Sequence, residues 1–200
     1  LSDGLLKKRI GSIQFGFATY GYGLTNYATH TIDLIRMLVG EITSVQSMPS
    51  ARFFSEGPLK NDINVSFNVY INNLSITVHP LKFTEYREGS LDLWGDKGRL
   101  EILQEGLRSH VTHISKCRSL DGSYELNSDE TEVIDTGYGN ALYGLYDDLA
   151  LSLSDKSLST CSPCSSALRS EYIIDKILES FRSNGEVISL EPPRLSNNGF

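Results

Sequence analysis

Cysteine is scarce in this chain: three residues in 200, Cys117, Cys161 and Cys164. An odd, low count excludes a disulfide-stapled scaffold. Positive charge is also in short supply. Eighteen Lys and Arg stand against 25 Asp and Glu, for a formal net charge of -7. That balance excludes the basic stripe of a nucleic-acid surface, and the only cationic run is Lys7-Lys8-Arg9. Long apolar runs are missing: no segment approaches the roughly 20 residues that cross a bilayer as a helix. The first residues, LSDGLLKKRIGS, carry no starting Met and no basic–apolar–small order of a signal peptide. They read as the start of a piece whose earlier part is missing. The sequons at Asn64 and Asn73 would matter only in a secreted protein, and a reducing, cytoplasmic compartment is expected.

What remains is ordinary for a globular domain. Apolar content is 40% and charged content 22%, in a length that supports one sizeable core. Ile13, Phe15 and Phe17 recur at every second position within Ile10–Tyr20, which is strand spacing. A helix is expected from about Thr25 to Val39, closed by Gly40, and a strand from Ile42 to Ser47. The clearest β signal runs from Asn61 to His79. There Ile63, Val65, Phe67, Val69 and Ile71, then Leu74, Ile76 and Val78, alternate with polar residues around an Asn72-Asn73 turn. The polar set, Asn64, Ser66, Asn68, Ser75 and Thr77, faces either water or a second subunit. A second hairpin is expected at Asp96-Lys97-Gly98, joining Ser90–Gly95 to Arg99–Gln104. Further β structure is expected over Gly106–Cys117, and a looser polar stretch over Asp121–Asp135.

Two helices close the chain. Leu142, Leu145, Tyr146, Leu149, Ala150 and Leu153 form one apolar stripe. After a Ser-rich loop with Pro163, a helix from about Ser165 to Ser183 turns Leu168, Tyr172, Ile173, Ile177, Leu178 and Phe181 inward. Val187–Leu190 is a short last strand. Residues 1–191 then make one domain, with an unstructured tail over 192–200. Helices segregated from a run of strands predict an α+β fold: an open, largely antiparallel sheet with helices on one face.

The most informative segment is Thr25–Arg36. His30 sits four residues after Asn26 and three before Asp33, spacings that share a helical face. An imidazole beside an amide and a carboxylate is suited to proton transfer near neutral pH. Asp33 either ties down the helix and orients the histidine or contacts substrate. Tyr20, Tyr22 and Tyr27 line the helix entrance, as packing or as substrate contacts. Other motifs carry less. The Gly-Tyr-Gly triplets at 21–23 and 137–139 lack the third glycine of a dinucleotide fingerprint. Cys161-Ser162-Pro163-Cys164 has redox spacing but sits in a Ser-rich loop with no strand before it. His79, His110 and His113 are too far from it in sequence to complete a metal site, and no metal is expected.

The order of these elements, with Asn26-Tyr27-Ala28-Thr29-His30-Thr31-Ile32-Asp33-Leu34, Leu93–Glu101 and Ile173–Ser180, resembles the C-terminal domain of the Gfo/Idh/MocA oxidoreductases (glucose–fructose oxidoreductase and inositol dehydrogenase). The resemblance runs to about Leu190. It implies a GAPDH-like C-terminal fold that holds substrate and builds oligomers through its open sheet face, while an N-terminal Rossmann domain, absent from this chain, binds NAD or NADP. The expected substrate is a sugar, polyol or nucleotide sugar. The resemblance places the catalytic histidine at His30 and substrate contacts at Asn26, Tyr27, Asp33 and Tyr22. The family's usual Asp and Gly fall on Asn26 and Ala28, and a neutral amide does not raise an imidazole pKa as a carboxylate does. No cofactor-binding residue is expected here, and the isolated fragment is expected to be inactive. The alternatives are a non-catalytic sugar-sensing or regulatory protein on the same fold, or a plain homo-oligomerisation module. Neither nucleic acid nor membrane is an expected partner.

Overall fold

A computed structural model describes residues 5–158 and 160–193. Its centre is β1 (Ile13–Tyr20), which leads into α2 (Ala28–Leu38) after a short α1 (Leu5–Ile10). There follow β2 (Ser44–Phe54), β3 (Ile63–Ile71), β4 (Leu74–Pro80), β5 (Ser90–Gly95), β6 (Gly98–Leu103) and β7 (Arg108–Lys116). Short strands β8 (Tyr124–Leu126) and β9 (Glu132–Ile134) precede α3 (Ala141–Ser154) and α4 (Cys164–Arg182), and β10 (Ile188–Ser189) closes the chain. The strand order is β10-β2-β3-β4-β1-β5-β6-β7-β8, with β9 also on β7. Only β1 and β4 pair in parallel among these neighbours. The fold is therefore α+β, an open mixed sheet that is mostly antiparallel.

The alternation in β3 and β4 does what its period requires. Val65, Phe67 and Val69, with Ile76 and Val78, are fully buried on the helix-bearing face. Asn72 takes a left-handed φ of 55 in the turn between them, which Asn tolerates better than most residues. Ile32 and Ile35 of α2 and Ile173, Ile174 and Ile177 of α4 complete the same core. Each such side chain contributes roughly 1.5–3 kcal/mol by burial. The Tyr20 phenol is buried among them. It donates to the Val65 carbonyl at 2.8 Å and accepts from the Val65 amide at 2.9 Å, and burial holds its pKa above the ordinary value.

In β1 the core side is Gly16, Ala18 and Tyr20, while Phe15 and Phe17 stand on the open sheet face, 47% and 41% exposed. Several expectations are corrected. On β3, Asn64 and Ser66 are buried, while Thr77 donates to Asn68 across the hairpin at 2.8 Å. The start of the chain, read as strand from Ile10, turns out to carry α1. In α4, Leu168 is exposed and Ile174 takes the core position. α3 forms where its periodicity places it, yet buries none of its residues. Residues 194–200 of the expected tail lie outside the described residues. No helix among the described residues is long and apolar enough to cross a membrane.

Candidate active site

A cavity of about 1140 Å³ opens between α2, the 87–90 loop, the β6–β7 hairpin and the 134–141 segment. His30, Asn26, Tyr27 and Tyr22 all line it. The local sequence explains how they arrive there. Gly23 has a φ of +105, and a Cβ on it would lie 1.9 Å from an Asp62 oxygen. Glycine therefore lets the turn after β1 close onto β3. The Gly23 amide donates to Asn64 at 3.0 Å. The amides of Thr25 and Asn26 donate to the Asp62 carboxylate at 3.2 and 3.1 Å.

That carboxylate fills a gap. Tyr27, the cap residue of α2, makes no side-chain cap bond, and the first turn holds no acid. Helix starts leave N–H groups unpaired and favour negative charge. Asp62 supplies both an acceptor and a charge to the turn just ahead of the helix. Asn26 closes the turn from within, its side-chain amide donating to the Tyr22 carbonyl at 3.2 Å. An aspartate at that position has no N–H for this bond.

His30 is exposed to the cavity, its ring edge-on to Tyr27 at 5.6 Å. Tyr27 also meets Phe83 at 5.2 Å, and Tyr22 meets Phe83 at the same distance. The Arg87 guanidinium lies over all three rings at 5.7–6.0 Å. Arg87 is held by both oxygens of Glu105, one at 3.0 Å. Burial, then the neighbouring Glu105 carboxylate, push the Tyr27 phenol well above its ordinary range, so it stays a neutral donor. The Glu105 hydrogen bond likewise raises Arg87, though burial opposes it.

Asp33 departs from the expected polar stripe. Its carboxylate accepts from Arg36, Ser166 and Ser170, each at 3.2 Å. It faces α4 and does not line the cavity. At 3.6 residues per turn, Asp33 stands roughly 85° away from the centre of the wall made by His30, Leu34, Met37 and Leu38. Spacing by three from His30 put it on the wrong side of that histidine. Four other residues had escaped sequence reasoning: Asp62, Arg87, Glu105 and the cavity residue Ser109. Asp62 reads as one polar member of an alternating run, and Arg87 and Glu105 belong to no motif. No local pattern shows that three separate segments converge on Tyr27.

The remaining candidates lie away from the cavity. Cys161 and Cys164 are exposed free thiols, and a hydrogen bond to Asp148 raises the Cys161 pKa, away from thiolate reactivity. His113 lies 3.8 Å from Glu132 on the surface. Among the described residues, no group of His, Cys, Asp and Glu could hold a metal.

Several solved oxidoreductases share this fold. A levoglucosan dehydrogenase in complex with NADH aligns with a TM-score of 0.73 at 16% identity, covering 95% of this chain and 62% of that one. The WlbA dehydrogenase from Bordetella pertussis, in complex with NADH and UDP-GlcNAcA, gives 0.60 at 17% identity over 96% and 60%. An oxidoreductase domain protein from Kribbella flavida gives 0.71 at 12% identity over 96% and 63%. The chain thus spans about three fifths of the length of these structures. No curated protein sequence matches it. Residues 18–190 match the model of the oxidoreductase family's C-terminal alpha/beta domain. The chain belongs to that family, the Gfo/Idh/MocA oxidoreductases.

Proposed function

We propose that this chain is the substrate-binding and oligomerisation domain of an NAD(P)-dependent oxidoreductase acting on a hydroxyl or carbonyl of a sugar, polyol or nucleotide sugar. The observation that carries the reading is that exposed His30 lines a large cavity together with Asn26, Tyr22 and Tyr27. In the oxidative direction, the imidazole takes the proton of the substrate hydroxyl as the adjacent carbon loses its hydrogen with two electrons. In the reductive direction it returns the proton. Asn26 Oδ1, its amide engaged with Tyr22, is left to accept from a second hydroxyl. The neutral Tyr27 phenol and the ring of Tyr22 line the sugar's flank.

A bound nicotinamide supplies the hydride acceptor or donor. The residues present fit such a group: the cavity exceeds the roughly 300–1,000 Å³ of an ordinary small-molecule site, leaving room beside a sugar. The rest of the cofactor is assigned to a domain outside this chain. α3 starts at Ala141 on the cavity wall and exposes Leu142, Leu145, Tyr146 and Leu149. That apolar face is the proposed seat for the cofactor domain, in keeping with the greater length of the solved relatives. The open sheet face, where Phe15 stacks on Trp94 at 5.7 Å beside exposed Phe17, is the proposed subunit contact. A cytoplasmic location goes with this reading.

The test is His30→Ala in the full-length protein. Turnover should fall by roughly 10²–10⁴ with cofactor affinity unchanged. Unchanged turnover sinks the assignment. A wild type that binds such a substrate without turning it over would select instead a non-catalytic sugar-sensing protein on this fold, a reading favoured by the engagement of Asn26 in closing its own turn.

A further inference from the structure

An exposed imidazole turns about two side-chain torsions, the second of them broad. To serve one substrate atom its ring has to be fixed, since small misplacements of a reacting group cost rate steeply. The residue whose spacing suggests that task is engaged elsewhere. Asp33 accepts from Arg36, Ser166 and Ser170 on the α4 side. The side-chain amide of Asn26 donates to the Tyr22 carbonyl. Tyr27 is the neighbour that meets the imidazole directly. The His30 amide donates to the Tyr27 carbonyl at 3.0 Å, and residues three apart at a helix start share a face. Their ring centroids are 5.6 Å apart with 76° between the planes, an arrangement that aromatic pairs prefer.

A ring orients its neighbour only if it is itself held, and Tyr27 is held from three sides. Phe83, 5% exposed, meets it at 5.2 Å and 78°. The Arg87 guanidinium lies 5.7 Å from its centroid and is fixed in turn by both oxygens of Glu105. The hydroxyl end enters the space that Gly89 leaves open. A Cβ on Gly89 would lie 2.3 Å from the Tyr27 hydroxyl and 3.2 Å from the Glu105 side chain, so glycine is what admits the phenol beside Glu105. Phe83, Arg87 and Gly89 come from the β4–β5 loop and Glu105 from the β6–β7 connection. The clamp is therefore tertiary, built from segments that α2 does not contain. The Arg87–Glu105 pair is 54% and 22% exposed, and pairs so open to water add little stability by themselves.

We propose that Tyr27, clamped by Phe83 and the Arg87–Glu105 pair, is the positioning residue of His30, holding its imidazole in one orientation toward the cavity. An aromatic ring thus takes the task that an adjacent carboxylate performs in other acid–base histidines. The inference rests on the proposed function for its effect on turnover. The ordering of the ring is a property of the protein without substrate.

The experiment uses the full-length protein with isotope-labelled histidine, free of substrate and cofactor. The His30 signal is identified by its loss in His30→Gln, and ring order is read from carbon relaxation on the ps–ns timescale. The wild-type ring should approach the order parameter of about 0.85 that marks a rigid group, and Tyr27→Leu should bring it below about 0.6. Tyr27→Phe should stay close to the wild type, because the contacts with Phe83 and Arg87 remain. Arg87→Met should fall between, and Asp33→Asn should change nothing. Unchanged amide signals of Ile32 and Ile35 show that α2 is intact. Should Tyr27→Leu disturb them, Arg87→Met, which leaves the helix entrance unaltered, decides the matter. Overturning results are a wild-type ring already below about 0.6, an unchanged ring in both Tyr27→Leu and Arg87→Met, or an Asp33→Asn variant as loose as Tyr27→Leu. Unchanged turnover in His30→Ala would sink the acid–base reading and leave these measurements standing, so the two failures are separable.

Discussion

Asp62 is the residue on which the geometry of the site most depends, although its carboxylate points at backbone and not at the cavity. It is 8% exposed and accepts from three backbone amides, those of Thr25, Asn26 and Ile63 at 2.9–3.2 Å. Replacement by Ala leaves the Thr25 and Asn26 amides without an acceptor and removes the negative charge ahead of α2. Bonds to a charged acceptor contribute about 1.5–3 kcal/mol each, and the lost charge at the helix start about 0.3–1 kcal/mol more. Water entering the vacated space recovers part of this, so Asp62→Ala should destabilise by about 2–4 kcal/mol. Asp62→Asn, which keeps one acceptor oxygen, should cost about half as much. The assay is urea denaturation of the 200-residue chain, with unchanged m-values to confirm that only stability moved. If the proposed function holds, the same variants in the full-length protein should lower kcat, because Asn26 and His30 ride on the turn that Asp62 holds. A loss below about 0.5 kcal/mol for Asp62→Ala, the range of ordinary surface changes, would refute the claim that Asp62 anchors the turn that carries the site.

The other predictions concern the α2–α4 contact and the sheet face. Arg36 is 9% exposed and bridges Asp33, Glu41, Ser166 and Ser170. Its carboxylate partners are 54% and 42% exposed, so Arg36→Met should cost about 1–3 kcal/mol, short of the 3–5 of a fully buried pair, as read by denaturation. For Glu41, burial pushes the carboxyl pKa up, but Arg36 and then Arg169 outweigh it and leave it below its ordinary 4.5. A depressed folded-state value gives stability that is complete above 4.5 and is lost as pH falls through the lower folded value. Glu41→Gln should therefore lower stability at neutral pH and flatten its acid dependence, in denaturation series run at about pH 7 and pH 3. Phe17→Glu on the open sheet face should weaken self-association of the full-length protein at least about tenfold, since it buries a charge in an apolar contact. Light scattering that shows the same assembly in both proteins would remove this face from the interface.

Much of the fold was legible because its pattern is local. The alternation in β3 and β4 and the Asn72 turn are fixed by neighbours in sequence, and both appear as expected. α1 was not, because six residues from Leu5 to Ile10 are too few to show a helical period. In β1 the spacing shows a strand but not which face is buried: Phe15 and Phe17 stand on the open side, and only the position of the helices decides that. The stripe on α3 shows a helix with an apolar face, but periodicity carries no information about what that face meets. The site divides the same way. His30, Asn26, Tyr27 and Tyr22 sit within one short segment and arrive together at the cavity. Arg87, Glu105 and Ser109 reach it, and Asp62 reaches the turn behind it, only through β-sheet pairing and loop packing, so no spacing reveals them.

The most direct test of the central claim is a distance in a ternary complex of the full-length protein with nicotinamide cofactor and substrate. With His30 as the proton-transfer group, a ring nitrogen of His30 should lie within about 2.6–3.2 Å of the reacting substrate oxygen, with the nicotinamide ring against the adjacent carbon. A substrate whose reacting oxygen is held by another side chain, with His30 turned to solvent, would contradict the account.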